Sequence, residues 1–233
     1  MPTPILLLHG ALGSQAQLQK LKSDLLTIRP DSTLHTLDFT GHGARSDESG
    51  EYSMEAFAKD VLDFIEERKW DSIDIFGYSM GGYVALTAAI SHSNKINRIA
   101  TLGTKFHWTP ESAAREVKML NPEIIEEKVP AFASGLKTLH GADHWKSVLE
   151  RTAQMMLDLG NGKALKTEML KDIRLPVLIG IGDQDRMVTM EESEERAHAL
   201  PQGEIIVMEG FRHEMDRVDT YTLAETLNAF FEK

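Results

Sequence analysis

Residues 73–82 read Ile-Asp-Ile-Phe-Gly-Tyr-Ser-Met-Gly-Gly and carry the strongest fold signal in the chain. The apolar run Ile73–Phe76 predicts a buried strand, and the small residues after the paired glycines predict a helix that continues through Ile90. Ser79 lies between two glycines at the junction. Glycine fits there because a side chain would collide with the neighbouring backbone in so tight a turn. The segment therefore predicts a strand–turn–helix unit that presents the Ser79 hydroxyl at the carboxyl end of the strand.

Short apolar runs and amphipathic segments alternate on both sides of this unit. Five further runs predict strands, namely Ile5–Leu8, Leu34–Phe39, Ile96–Leu102, Val177–Ile181 and Glu204–Met208. Apolar residues at helical spacing predict helices between them, including one capped by Ser53 and a last helix from about Tyr221 to Phe231. Strands that alternate with helices predict a parallel sheet covered on both faces.

The interval from about Thr104 to Asp172 interrupts this alternation. It contains helical segments and no convincing strand, and prolines and glycines divide it. We interpret residues 104–172 as a helical cap inserted after the fourth strand. Residues 1–103 and 173–233 are then expected to form the core domain.

The composition and net charge of the chain limit the kinds of molecule that it is expected to bind. The chain has 233 residues, of which 42% are hydrophobic and 26% charged, values that are ordinary for a globular protein. Its 25 basic and 36 acidic residues give a net charge of −11. Because such a chain repels phosphate groups, neither nucleic acid nor a membrane surface is an expected partner.

The absence of cysteine excludes disulfides, thiolate nucleophiles and cysteine-based metal sites. The apolar run Ile5–Leu8 is too short for a signal peptide, and no stretch reaches the length of a membrane span. We therefore expect a cytoplasmic protein. The sequence leaves open whether it is a monomer or a homodimer.

A serine is a weak nucleophile and needs a base, which a carboxylate in turn orients. His213 follows the last predicted strand, in a loop that returns to the sheet edge where Ser79 is expected. Two candidate acids, Asp183 and Asp185, follow the fifth strand. We favour Asp185 because it lies further from the strand end, whereas an aspartate at position 183 suits the backbone donors of the turn. The chain order Ser79, Asp185, His213 is that of a known class of catalytic triad.

Negative charge that develops on a reacting carbonyl oxygen requires backbone N–H donors. One candidate is the amide of Met80, next to Ser79. The other is the amide of Ala11, in the glycine-containing loop that follows the first strand. His9 in this loop is expected to brace it by hydrogen bonding and is given no catalytic role.

The substrate pocket is expected between the cap and the loops at the carboxyl edge of the sheet. Its candidate lining residues are Leu12, Tyr78, Phe106, Trp108, Met155, Met156 and Met187. His140 and His144 have a spacing that a metal pair on one helix could use. Gly141 between them weakens a helix, so we interpret the segment as a turn and a helix start. No metal site and no other cofactor is predicted.

Five segments together resemble the α/β-hydrolase superfamily. In the family's order they are LLLHG at 6–10, a variant of D-x-x-G-H-G-x-S at 38–46, GYSMGG at 77–82, GDQD at 182–185 and the Gly210-x-x-His213 loop. The resemblance implies a serine-nucleophile enzyme with a lid over its site. It also implies a sheet of about six mostly parallel strands, without the usual leading strands of the family.

The expected chemistry is two-step acyl transfer from small carboxylic esters or thioesters, with Ser79 as the nucleophile. One alternative is a lyase or synthase similar to those of the menaquinone pathway, or a C–C hydrolase, that uses the same triad. In proteins of that pathway an arginine often occupies the position of Tyr83. An arginine cluster facing the pocket would support this alternative, and the candidates are Arg45, Arg115, Arg186 and Arg212. A third possibility is a ligand-binding receptor of the same fold.

Overall fold

A six-stranded parallel sheet forms the centre of the molecule. The computed structural model describes residues 3–233, with the backbone alone at position 93. The strands are β1 (Ile5–Leu8), β2 (Leu34–Leu37), β3 (Ile73–Tyr78), β4 (Ile96–Leu102), β5 (Val177–Gly182) and β6 (Gly203–Met208). Their order in the sheet is β2-β1-β3-β4-β5-β6, and every pairing between them is parallel. This arrangement confirms the α/β-hydrolase fold expected from the sequence.

The strands differ in burial according to their place in the sheet. Every residue of β1, β3 and β5 is buried, as expected for inner strands covered on both faces, whereas the edge strand β6 is largely half-exposed. β2 ends at Leu37 and not at the predicted Phe39. The chain leaves the sheet there because the Asp38 carboxylate accepts hydrogen bonds from loop amides, and the Phe39 amide donates to His9 Nε2.

Nine α-helices occur in the described chain. They are α1 (Gln19–Ile28), α2 (Met54–Glu67), α3 (Met80–His92), α4 (Pro110–Val117), α5 (Pro122–Lys128), α6 (Pro130–His140), α7 (Trp145–Asp158), α8 (Met190–Ala199) and α9 (Thr220–Phe231). The side chain of Ser53 caps α2, as predicted, by accepting the Ala56 N–H. Asp219 caps α9 in the same way. α1 and α9 cover one face of the sheet, while α2, α3 and α8 cover the other.

Four helices, α4 to α7, lie between β4 and β5, where the sequence predicts the cap. They enclose a small core of their own, formed by Leu120, Ile125, Ala133, Leu136, Trp145 and Leu149. Met155 and Leu159 also belong to the main core. α7 and the residue that follows it therefore pack directly against the main core beside the sheet. Among the described residues, every helix falls short of the length and apolarity needed to cross a bilayer.

The turn from β3 into α3 leaves no room for side chains at its glycines. A Cβ added at Gly77 would lie 2.3 Å from the Gly82 nitrogen, and one at Gly81 would lie 2.4 Å from the Leu8 carbonyl oxygen. Both neighbours are backbone atoms, one in α3 and the other in β1, and they cannot turn aside as a flexible side chain could. These close approaches explain why the sequence places glycines around Ser79.

Replacing Gly81 with alanine is expected to lower the free energy of unfolding by at least about 2 kcal/mol, because α3 and β1 would have to separate. The matched control is Gly135→Ala. Gly135 lies exposed inside α6, and an added Cβ would meet nothing within 4 Å. Alanine there should raise the free energy of unfolding by roughly 0.5–1 kcal/mol through helix propensity. Urea unfolding measures both, and equal stability of the two variants would contradict this account of the turn.

Candidate active site

Three strands deliver three side chains to one point at the carboxyl edge of the sheet. Ser79 follows β3, Asp185 follows β5 and His213 follows β6. Ser79 Oγ lies 3.2 Å from His213 Nε2, and His213 Nδ1 lies 2.8 Å from Asp185 Oδ2. A carboxylate only accepts hydrogen bonds, so Nδ1 carries the proton and Nε2 presents its lone pair to the Ser79 hydroxyl. The three side chains form a continuous hydrogen-bonded line, and its geometry fits the predicted roles of nucleophile, base and orienting acid.

The backbone of Ser79 lies in the left-handed region, with φ +50°. This conformation is unfavourable for a residue with a Cβ and persists only where the surroundings impose it. The Ser79 amide donates to the Leu102 carbonyl at 2.8 Å, and the buried Thr104 hydroxyl donates to the Ser79 carbonyl at 3.0 Å. β4 and the residues after it therefore fix the serine from both sides.

Asp185 and Asp183, the two candidate acids, make different contacts in the structure. The Asp185 side chain is 1% exposed, and its Oδ1 accepts the amides of Met187 at 2.8 Å and Val188 at 3.0 Å. Burial by itself raises the pKa of Asp185. The hydrogen bond from His213, the attraction of the carboxylate to the protonated form of that histidine and the two amides outweigh burial and lower the pKa below its ordinary value. Asp183 Oδ1 instead accepts the Gly210 amide at 2.7 Å. Asp185 is thus the aspartate that contacts His213.

Two residues that sequence reasoning did not connect with His213 affect its position, one by a hydrogen bond and the other by leaving space. The Tyr78 hydroxyl donates to the His213 carbonyl at 2.6 Å, and burial raises the pKa of Tyr78 so that it stays a donor. Gly103 has φ +63°, and a Cβ there would lie 3.1 Å from Asp185 Oδ2 and 3.3 Å from His213 Nδ1. A residue with a side chain at position 103, directly after β4, would therefore crowd His213 and Asp185.

Both amides proposed from the sequence as oxyanion donors border the same cavity as Ser79. Within the described chain, neither the Ala11 nor the Met80 amide donates a hydrogen bond to another protein atom. The loop that carries Ala11 is closed by the Gly13 amide, which donates to the Gly10 carbonyl at 3.1 Å. Two free N–H groups at a serine fit the requirements of an oxyanion hole, and this role remains a prediction.

The cavity above Ser79 has a volume of about 310 Å³ and mostly apolar walls. Six of the seven residues predicted to line it do so, namely Leu12, Tyr78, Trp108, Met155, Met156 and Met187. The cavity is also lined by residues that sequence reasoning did not single out as lining candidates, namely Met54, Tyr83, Lys105, Glu116, Met119, Leu120, Phe132 and Glu214. Tyr83 lies one helical turn after Ser79 on α3, a spacing that could have revealed it. For the lining residues between 104 and 172, no spacing in the sequence indicated that they would face the cavity.

The prediction for Phe106 is wrong. Its side chain is 2% exposed and lies outside the cavity, where its ring packs beside that of Tyr83 with centroids 6.1 Å apart. The reason is a buried anchor in α8, since Glu192 Oε1 accepts the Phe106 amide at 2.8 Å. This contact turns the Phe106 side chain into the core, and Trp108 lines the cavity instead.

One ion pair interrupts the apolar wall. Lys105 Nζ lies 3.5 Å from Glu116 Oε1 and donates to the Met187 carbonyl at 3.2 Å. Among residues 3–233, no arginine lines the cavity, so the cluster that would support a lyase or synthase is not found there. Arg45, for example, pairs with Glu48 and Asp60.

Three histidines, His9, His42 and His140, are buried beside the site and do not line the cavity. His9 Nδ1 donates to the Gly10 carbonyl at 2.8 Å while its Nε2 accepts the Phe39 amide at 3.3 Å, so it braces the loop after β1 as expected. His42 lies in an aromatic nest, stacked on Tyr52. His140 ends α6, and Gly141 separates it from His144 at the start of α7. In the described part of the chain, no three potential ligand side chains are grouped to hold a metal ion.

We expect the protein to lose stability on acidification below about pH 6.5. Burial lowers the pKa of His9 to about 4, and it lowers the pKa values of His42 and His140 too. In this pH range the three histidines bind protons in the unfolded chain and stay neutral in the native state. The free energy of unfolding therefore falls as the pH drops from about 6.5 to about 4. For His9 alone the full shift corresponds to about 3 kcal/mol.

Urea unfolding at a series of pH values checks this. His42→Phe keeps an aromatic ring in the nest and should reduce the proton uptake on unfolding at pH 5 by about one. His107→Gln, at an exposed position, should leave the pH dependence unchanged. A free energy of unfolding that stays constant between pH 6.5 and pH 4.5 would contradict the prediction.

Comparison with known proteins agrees with this geometry. Residues 3–157 match the family model described as the alpha/beta hydrolase fold. The chain belongs to this α/β-hydrolase family, as its sequence motifs and its parallel sheet indicate.

Individual relatives are distant. Over 98% of this chain and 90% of the relative, the sequence is 21% identical to the (E)-2-((N-methylformamido)methylene)succinate hydrolase of Acinetobacter baylyi. A probable alcohol acetyltransferase of Cyberlindnera fabianii is 29% identical over 46% of this chain, a match that spans only 29% of the acetyltransferase. Among solved structures, a thermophilic esterase from Thermogutta terrifontis superposes with a TM-score of 0.80 at 18% identity, covering 100% of this chain and 90% of the esterase. At this identity the structural likeness concerns the fold.

Proposed function

We propose that the protein is a serine esterase that cleaves small carboxylic esters, and by the same chemistry thioesters, through an acyl-enzyme on Ser79. The observation that carries the proposal is the hydrogen-bonded line Ser79–His213–Asp185, which opens onto an apolar cavity beside two unpaired backbone amides. Each part of an acyl-transfer site has a candidate in that arrangement.

In the first half-reaction, the Ser79 Oγ attacks the ester carbonyl carbon while its proton passes to His213 Nε2. The carbonyl π-electrons move to oxygen, and the Ala11 and Met80 amides stabilise the resulting oxyanion. Asp185 stabilises the imidazolium through the 2.8 Å contact to Nδ1. The oxyanion then collapses, the C–O bond to the alcohol breaks, and the leaving oxygen takes the proton from Nε2.

In the second half-reaction, water replaces the alcohol. His213 Nε2 removes a proton from the water as it attacks the acyl carbon, and the same two amides stabilise the second oxyanion. Collapse breaks the bond to Ser79 Oγ, which regains its proton from Nε2 and leaves a carboxylic acid as product. The cycle needs only this chain, the ester and water.

The cavity supports a small and largely apolar substrate. Its volume of about 310 Å³ lies at the lower end of the range for ligand pockets. Six of the eleven methionines in the chain line it, and methionine walls adapt to acyl groups of different shape because the side chain is unbranched and flexible. Simple esters of short to medium chain length fit these limits.

The test combines active-site labelling with turnover. The folded protein is treated with a fluorophosphonate, its intact mass is measured and the labelled peptide is mapped, while p-nitrophenyl esters of increasing chain length serve as substrates. We expect one label per chain on Ser79 and the fastest turnover with short esters. Absence of labelling in well-folded protein, or labelling elsewhere, would overturn the proposal.

A further inference from the structure

One histidine of the cap reaches two loops of the sheet domain. His140, the last residue of α6, is fully buried. Its Nε2 lies 2.9 Å from the Leu12 carbonyl oxygen, and its Nδ1 lies 3.0 Å from the Gly43 amide nitrogen. The Gly43 N–H can only donate, so Nδ1 is the acceptor and Nε2 carries the proton that goes to Leu12. The neutral ring therefore joins the cap to both loops at once.

The residue that receives this hydrogen bond has an unusual backbone. Leu12 has φ +59°, in the left-handed region that residues with a Cβ avoid. Such a conformation persists where surrounding contacts impose it. Within the described chain, His140 is the one donor to the Leu12 carbonyl, and the Leu12 side chain packs against the small core of the cap. Both the backbone and the side chain of Leu12 are thus fixed by the cap.

The position of Leu12 links this contact to the chemistry. Leu12 directly follows Ala11, whose free amide borders the cavity with Ser79. A rotation at Leu12 would disturb the plane of the peptide between the two residues and the direction of the loop around it. Oxyanion donors act only when they are aimed at the reacting oxygen in advance, and displacements of about 1 Å can reduce rates about a hundredfold.

We propose that His140 is a positioning residue of the active site: its hydrogen bond to the Leu12 carbonyl holds the loop after β1 in the conformation that directs the Ala11 amide at the oxyanion. The cap then does more than cover the substrate, because one of its side chains completes the oxyanion hole. This proposal rests on the proposed esterase function for its kinetic consequence, while its structural consequence can be measured independently.

The experiment compares two substitutions of His140. His140→Phe keeps a planar ring in the buried site and removes both hydrogen bonds. His140→Gln provides an N–H donor and a carbonyl acceptor that can face Leu12 and Gly43 as the two ring nitrogens do. His144→Gln is the control, since the side chain of His144 makes no capping hydrogen bond at the start of α7 in the described chain.

For p-nitrophenyl ester hydrolysis, we expect His140→Phe to lower kcat by about 10- to 100-fold with KM changed less than about threefold. His140→Gln should recover most of kcat, and His144→Gln should match the wild type. Unchanged kcat in His140→Phe would overturn the proposal. A loss that lies wholly in KM, or is equal in the phenylalanine and glutamine variants, would do the same, because it would indicate packing of the cap and not alignment of the loop.

Amide hydrogen exchange of residues 10–13 supplies the independent readout. We expect faster exchange in His140→Phe than in the wild type, with His140→Gln close to the wild type. Unchanged exchange in His140→Phe would overturn the proposal whatever the kinetics show. If the wild type neither hydrolyses esters nor labels at Ser79, the esterase function fails, and the exchange data still decide whether His140 holds this loop.

Discussion

Replacing Ser79 with alanine is expected to lower ester turnover by about 10⁴- to 10⁶-fold. The reason is that, in the proposed mechanism, Ser79 Oγ forms the acyl-enzyme and alanine lacks this atom. Steady-state hydrolysis of p-nitrophenyl esters by the purified variant measures the loss. Fluorophosphonate labelling of the same sample should disappear.

The variant should remain folded. Within residues 3–233, the one side-chain hydrogen bond of Ser79 is the 3.2 Å contact to His213, and alanine has the same backbone restrictions as serine at φ +50°. The thermal midpoint should therefore stay within a few degrees of the wild type. Ser23→Ala, at an exposed position of α1, is the control and should leave turnover unchanged. Comparable turnover in the Ser79 and Ser23 variants would refute the assignment of the nucleophile.

Replacing Asp185 with asparagine is expected to lower kcat by about 10⁴-fold. The Met187 and Val188 amides both donate to Oδ1, so the asparagine carbonyl oxygen must take that position. Its NH₂ group then faces His213 Nδ1 across the 2.8 Å contact. The ring has to accept there, which moves its proton to Nε2, and a protonated Nε2 cannot remove the proton of Ser79.

Asp183→Asn is the matched control. Asp183 accepts the Gly210 amide through one oxygen, and the carbonyl oxygen of asparagine can accept the same hydrogen bond. We expect kcat within about threefold of the wild type. Measured side by side on the same ester, the two substitutions distinguish the aspartates, and a larger loss in the position 183 variant would reassign the acid.

Local patterns account for much of the fold. The six strands, the helix cap at Ser53 and the helical interval after β4 were predictable. Strand and helix periodicities and capping preferences can be recognised within a few consecutive residues. The error at the end of β2 arose where the Asp38 carboxylate draws in amides from distant loops. The hydrophobic pattern of the sequence does not predict such contacts.

The sequence was sufficient to predict a strand–turn–helix unit with Ser79 at the sheet edge, because glycines at 77 and 81 after a buried strand leave few alternatives for the backbone. The packed structure was needed to show that Asp185, favoured from its spacing, contacts His213, and that Trp108 and not Phe106 faces the cavity. It was also needed to reveal the hydrogen bond between His140 and Leu12, 128 residues apart. The physical reason is that these choices depend on single hydrogen bonds between residues far apart in the chain. Such bonds form only when the elements that carry them pack together, and they have no periodic signature in the sequence.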